Sequence, residues 1–228
     1  MRKFTKIAAL AAVLCFGTLM SVGCRNEAKI SQNLDVIIAG SEQLTAMASG
    51  EVMLYESVKL ASDVEGVAEN SVTQSYTKFV GNGTNLEYDL GATKTYGVSG
   101  EVVSYNARQV EGLFMHSLND EPLSEADMAA PDIFDRFRIT FTAADVEKID
   151  VISAESVTLY AVTMTDAYAD SYDVSADGAT YDCTRMVYNY YFDAKGNMTQ
   201  VISEQKATLT DAAGTAQEVT KFSDASAR

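Results

Sequence analysis

The sequence predicts an α+β protein: one N-terminal helix followed by a long antiparallel β meander with a short helical insertion. Three observations carry that expectation. Ile30, Leu34, Ile37, Ile38, Leu44 and Met47 recur at three- and four-residue steps, the spacing of one apolar helix face. Beyond Gly50 the period falls to two, the signature of strands with one buried face. Glycine-bearing turns, Gly81-Asn82-Gly83, Asp193-Ala194-Lys195-Gly196-Asn197 and Asp211-Ala212-Ala213-Gly214, punctuate the strands as hairpin loops require.

The first 24 residues set the expected address. Arg2, Lys3 and Lys6 form a positive segment, residues 7–20 an uncharged apolar run, and Ser21-Val22-Gly23 a small-residue cleavage site before Cys24. That order predicts a secretory signal peptide over residues 1–23. The run is shorter than the roughly 20 residues of a membrane-spanning helix and ends at Arg25. Cys24 is the expected lipidation site, where the segment resembles a bacterial lipoprotein signal, although Ser21 stands where that pattern usually has an aliphatic residue. Residues 24–29 would then be the lipidated cysteine and a short tether, and residues 30–228 a single domain. The expected location is extracytoplasmic, held to the cell membrane or envelope by the lipid. Lipid anchoring strengthens by about 0.8 kcal/mol per buried methylene, and more than one chain is needed for a stable hold.

Charge narrows the partners. The chain carries 17 basic and 32 acidic residues; without residues 1–23 the balance is 14 against 32, a net charge of −18. Binding nucleic acid depends on neutralising phosphates with Lys and Arg, so no nucleic-acid partner is expected, and adhesion to anionic lipid through surface charge is disfavoured. Of the three cysteines, Cys15 leaves with the signal and Cys24 is consumed by lipid, so Cys183 has no partner for an intramolecular disulfide.

Taken in order, residues 25–50 read as the helix, with Gly50 as its stop. Residues 52–60, 72–80 and 86–90 read as the first strands, then 101–107 and 110–117 as a hairpin. Ser124 and Asp127 make a capping-box pattern and Pro131 fits a first helical turn, so residues 123–138 are expected as one or two short helices. Strands resume at 148–153 and 157–165, and an acidic loop covers 166–178. Strands at 180–192, 198–209 and 215–222 follow, and residues 223–228 form an expected frayed tail.

The usual catalytic and metal constellations fail. His116 is the only histidine and lies in a strand-like apolar stretch, so no Ser-His-Asp, Cys-His or zinc arrangement is expected; nor are catalytic residues, cofactors or a resident metal. Asp166, Asp170, Asp173 and Asp177 lack the alternating spacing of an EF-hand loop, and a solvated turn is the simpler reading. Any two of the 32 acids could in principle meet in a glycosidase-like cleft, and no motif points to such a pair. Tyr181, Tyr188, Tyr190, Tyr191 and Phe192 place rings on both faces of one strand. Core and edge packing accounts for such a strand, and an aromatic-lined groove for an apolar or carbohydrate ligand, lined by Tyr181, Tyr188, Tyr190 and Phe192, is the functional alternative.

The order of elements, with Pro131-Asp132-Ile133-Phe134 in the insertion and the Phe192-to-Met198 hairpin, is similar to the LolA/LolB-like lipoprotein superfamily. That resemblance implies a strongly curved antiparallel sheet, a half-barrel wrapping its helices, and a concave face that takes a lipid or other hydrophobic ligand. A cystatin-like roll is the alternative architecture, with eight or more strands favouring the half-barrel. The expected function is a non-enzymatic, membrane-tethered binding protein. A structural or protein-interaction module of the envelope is the alternative.

Overall fold

A computed structural model describes residues 26–64, 67–82, 85–97, 99–119, 121–125, 130–176 and 178–228. The expected signal peptide, the Cys24 lipidation site and Asp127 of the expected capping box lie outside the described residues. Helix α1 (Glu27–Thr45) is followed by β1 (Ser49–Lys59), β2 (Ser71–Val80), β3 (Glu87–Tyr96), β4 (Val102–Val110), β5 (Leu113–Leu118) and β6 (Ser124–Glu125). After two single-turn 310 helices come β7 (Val146–Ala154), β8 (Val157–Met164), α2 (Asp166–Asp170) and β9 (Val174–Ala176). Strands β10 (Ala179–Asp193), β11 (Met198–Thr210) and β12 (Ala216–Ala227) complete the chain. No helix among the described residues is long and apolar enough to cross a membrane.

Among the described residues twelve strands form one antiparallel sheet in the order β6-β5-β4-β3-β2-β1-β12-β11-β10-β8-β7, with β9 beside β10. It is two meanders joined where β1 pairs with β12. That junction corrects the expectation of a frayed tail. Ala225 and Ala227 are buried opposite Leu54 and Val52, and Arg228 exchanges backbone hydrogen bonds of 2.8 and 3.0 Å with Glu51. The same junction corrects the role of Gly50. Helix α1 ends at Thr45, and Gly50 lies within β1, where a Cβ would stand 2.6 Å from the Arg228 carbonyl oxygen. Gly50 is a close-approach residue rather than a helix stop.

Helix α1 starts as its residues dictate. The Asn26 carboxamide oxygen accepts from the Lys29 N–H, filling one of the helix's open donor positions. Ile30, Leu34, Ile37 and Leu44 face the sheet. Gly40 permits the approach, because a Cβ there would meet the Phe192 ring at 2.4 Å. The hairpins behave as their turn residues require. Asp193 Oδ1 accepts from the backbone N–H groups of Lys195 and Asn197, and Asp211 Oδ1 does the same for Ala213 and Thr215. Gly196 and Gly214 take φ near +83° and +84°. The β4–β5 turn falls at Glu111-Gly112, both with positive φ, so β4 extends to Val110 beyond the expected end.

The expected helical insertion differs most. Ser124 pairs with His116 in β6, and residues 130–145 run largely without regular structure from one edge of the sheet to the other, with single turns at Asp135–Phe137 and Ala143–Asp145. Packing explains the outcome: Phe134, Phe137 and Phe141 are all buried, and a chain crossing a wide sheet covers more of it extended than coiled. The capping box forms later, with Thr142 and Asp145. The acidic loop is also more ordered than expected, since Thr165 caps α2 and β9 pairs with β10.

Candidate functional site

One face of the sheet is covered by α1, the crossing segment and α2, and the strand registers show which side chains form it. Leu54, Ala225, Val201, Tyr190 and Tyr160 stand in line across β1, β12, β11, β10 and β8. This apolar row belongs to the main core with α1 and Phe134, Phe137 and Phe141. Further along the strands a second cluster gathers Leu60, Ala68, Ala169, Tyr181, Cys183, Ala207, Leu209 and Val219. Two rows of different chemistry lie between them. Lys94, Thr73, Glu56, Ser223, Ser203 and Tyr188 form one, and Ser71, Val58, Lys221, Gln205 and Met186 the other.

Those rows floor a cavity of about 600 Å³, roofed by Asp135, Arg136, Arg138 and Thr140 of the crossing segment and by Tyr172. The volume lies within the range of small-molecule sites. Its origin is local: Thr73, Ser203 and Ser223 are short inward side chains, Ser203 between Val201 and Gln205 and Ser223 between Lys221 and Ala225, and three small hydroxyl residues leave the space unfilled. The crossing segment is held over the floor at both ends. The Phe134 ring meets Phe79 edge-on at 5.0 Å, and Phe141 stacks on Tyr188 at 5.5 Å. Ser41 of α1 donates to the Phe137 carbonyl at 2.6 Å and fixes the middle.

The electrostatics are uneven. Among the described residues, four cationic side chains line the cavity, Lys94, Arg136, Arg138 and Lys221, against the two carboxylates Glu56 and Asp135. Arg136 bridges both carboxylates, at 2.7 Å to Glu56 and 3.0 Å to Asp135. Arg138 is paired with Asp132 at 2.5 Å, and Lys94 with Glu69 at 3.7 Å. Lys221 differs: its Nζ lies 4.1 Å from the centre of the Tyr181 ring, and no carboxylate reaches it among the described residues. Burial pushes the Lys221 ammonium below the usual lysine range. Burial also raises the Tyr172 phenol to about 12 and holds the Tyr188 and Tyr190 phenols above their ordinary value, so all three stay neutral at physiological pH.

Of the four aromatic residues expected to line a groove, Tyr188 and Tyr190 border the cavity. Tyr181 and Phe192 do not. Tyr181 is 1% exposed in the second cluster, with its hydroxyl buried and unpartnered among the described residues, and Phe192 is packed under α1 at Gly40. Beside the Tyr188 and Tyr190 rings and Val58, Met186 and Val201, hydroxyls and charges line the cavity. The residues missed were Thr73, Ser203, Ser223 and Lys221. The signal for Ser203, Ser223 and Lys221 was available in β11 and β12, where the inward alternation Val201-x-Ser203-x-Gln205-x-Ala207 and Val219-x-Lys221-x-Ser223-x-Ala225 turns polar in the middle and apolar at both ends.

His116 sits on β5 beside Phe114 and Tyr105, away from the cavity. Cys183 is buried, accepting from the Gln205 amide at 3.2 Å. Asp173 of the acidic stretch accepts from the Cys183 backbone N–H, and among the described residues no three His, Cys, Asp or Glu side chains converge as a metal site would need.

No family model matches the chain, and no curated protein matches it. Among solved structures it is similar to an N-terminal dehydratase from the difficidin assembly line, at 10% identity over 88% of this chain and 84% of that one, with a TM-score of 0.13. That likeness is too low to carry fold or function.

Proposed function

We propose that the chain is a membrane-tethered, extracytoplasmic binding protein whose ligand occupies the cavity between the sheet and the crossing segment. The observation that carries this reading is the cavity itself, about 600 Å³ on the one covered face of the sheet and floored by small hydroxyl residues. A wide, helix-covered face would have been filled by larger side chains if stability alone had shaped it. Binding is favoured over hydrolysis because Glu56 and Asp135, the cavity's carboxylates, both neutralise Arg136. The sheet, with twelve strands and a helix against one face, supports a kinship with the LolA/LolB-like half-barrels over a cystatin-like roll. On this reading the sheet curves around α1 and the crossing segment, and its concave side takes the ligand.

Tethering rests on the order of charge, apolar run and small residues before Cys24. Palmitate labelling in the producing cells should be lost in Cys24→Ala, and labelling that survives would end the anchor reading. For the ligand, protein purified from those cells is extracted and the extract examined by mass spectrometry. A reproducible small molecule, absent from a Ser203→Leu variant, is the expected result; clean extracts from the wild type would remove the cavity from consideration.

A second reading, an interaction module of the envelope, is favoured by one observation. Strand β7 ends the sheet with Val151 and Ile152 exposed, and an uncovered edge is a template for strand addition. Crosslinking in intact cells from Ile152→Cys would then give a discrete heteromeric band, and a monomer alone would count against it.

A further inference from the structure

We infer that the cavity takes an organic anion, its carboxylate or phosphate head meeting Lys221 and its body lying along Tyr188, Tyr190 and Val201. This rests on the proposed function and specifies its ligand. The chain is strongly acidic, at a net −15, yet the cavity gathers four cations around two carboxylates. Three of those cations already have acidic partners at 2.5 to 3.7 Å.

Lys221 does not. It comes from an inward position of β12, with Val58 and Gln205 directly beside it on the neighbouring strands. The face of Tyr181 and the Cys183 thiol are the groups that favour its charge, and no carboxylate among the described residues does. A half-buried ammonium without a carboxylate partner is costly, and its burial is reflected in the lowered pKa. An incoming anion supplies the missing counter-charge, and the Ser203 and Ser223 hydroxyls on the adjoining row can donate to its remaining oxygens. The side of the cavity formed by Tyr188, Tyr190 and Val201 is continuous with the apolar row above and suits a hydrocarbon or aromatic body. The shared chemistry is therefore an anionic head on an apolar body, whether from a membrane lipid or from a small free acid.

The test is calorimetric titration of the full chain at pH 7 with decanoate, decyl phosphate, decanol, decyltrimethylammonium and benzoate. Decanoate and decyl phosphate should bind roughly tenfold or more tighter than decanol, as expected for one charge-assisted contact. In Lys221→Gln that preference should vanish while decanol affinity is unchanged, and the exposed-turn control Lys195→Gln should keep it. Benzoate binding as tightly as decanoate would assign the head to a small free acid, and much weaker benzoate binding would assign it to a lipid; both support the anion. Equal binding of decanol and decanoate to the wild type would overturn the anion inference and leave the cavity reading standing. A preference that persists in Lys221→Gln would overturn it too. Failure of every probe to bind would overturn both.

Discussion

Two patches of one sheet face, a few residues apart along the same strands, are built on opposite plans. Under α1, Phe192 and Met198 press so closely on the helix that position 40 must be glycine. Two rows further on, the inward positions of β11 and β12 are Ser203, Ser223, Gln205 and Lys221, and the space above them is open. The first patch is what hydrophobic burial produces when it is unopposed. The second keeps polar groups and volume where apolar side chains would add stability.

Substitutions can break or sharpen that contrast. Phe192→Ala, which empties the closely packed patch, should cost about 3–5 kcal/mol of unfolding free energy in urea titration. A loss under 1 kcal/mol would mean the helix is not seated there. Gly40→Val should cost about 1–3 kcal/mol, because the added carbons meet the Phe192 ring and the neighbouring strands leave no room to yield. Ser203→Leu also adds volume to the inward face, yet it should change stability by no more than about 1 kcal/mol in either direction, since it grows into existing space. Comparable losses for Gly40→Val and Ser203→Leu would erase the distinction between the patches.

The smallest effect concerns the uncovered face. Asp224 lies there beside Tyr55, and burial holds its carboxyl above the usual aspartate range, with the Gln200 amide at 2.7 Å working the other way. A carboxyl with a raised folded pKa keeps its proton longer in the native state than in the unfolded one. Stability therefore falls as pH rises from the unfolded value of about 3.9 through the raised folded value. Asp224→Asn, which keeps the acceptor oxygen, should raise the melting temperature slightly at pH 7 and leave it unchanged at pH 3. An equal rise at both values would show that charge is not the cause.

Legibility in the sequence followed locality. The helix face from Ile30 to Leu44 and the Asp–x–x–Gly hairpins were readable because their causes lie within a few residues. The crossing segment was misread because Ser124, Pro131 and the spaced phenylalanines satisfy helical rules locally, while contacts to Phe79 and Tyr188, roughly fifty residues away on either side, decide the outcome. The tail was misread for the same reason: small residues such as Ala225 and Ala227 look frayed until β1 is placed beside them. The cavity was half legible. Tyr188 and Tyr190 stand out in the sequence as rings, but the serines that make the room carry no motif, only a polar interruption in an inward alternation.

The most direct test of the cavity as a ligand site is the decanoate affinity of the full chain and of its Ser203→Leu variant, measured by calorimetric titration alongside their melting temperatures. Saturable binding to the wild type is expected, with at least a roughly tenfold loss in the variant and a melting temperature nearly unchanged. Equal affinity in two equally stable proteins would contradict ligand binding in the cavity.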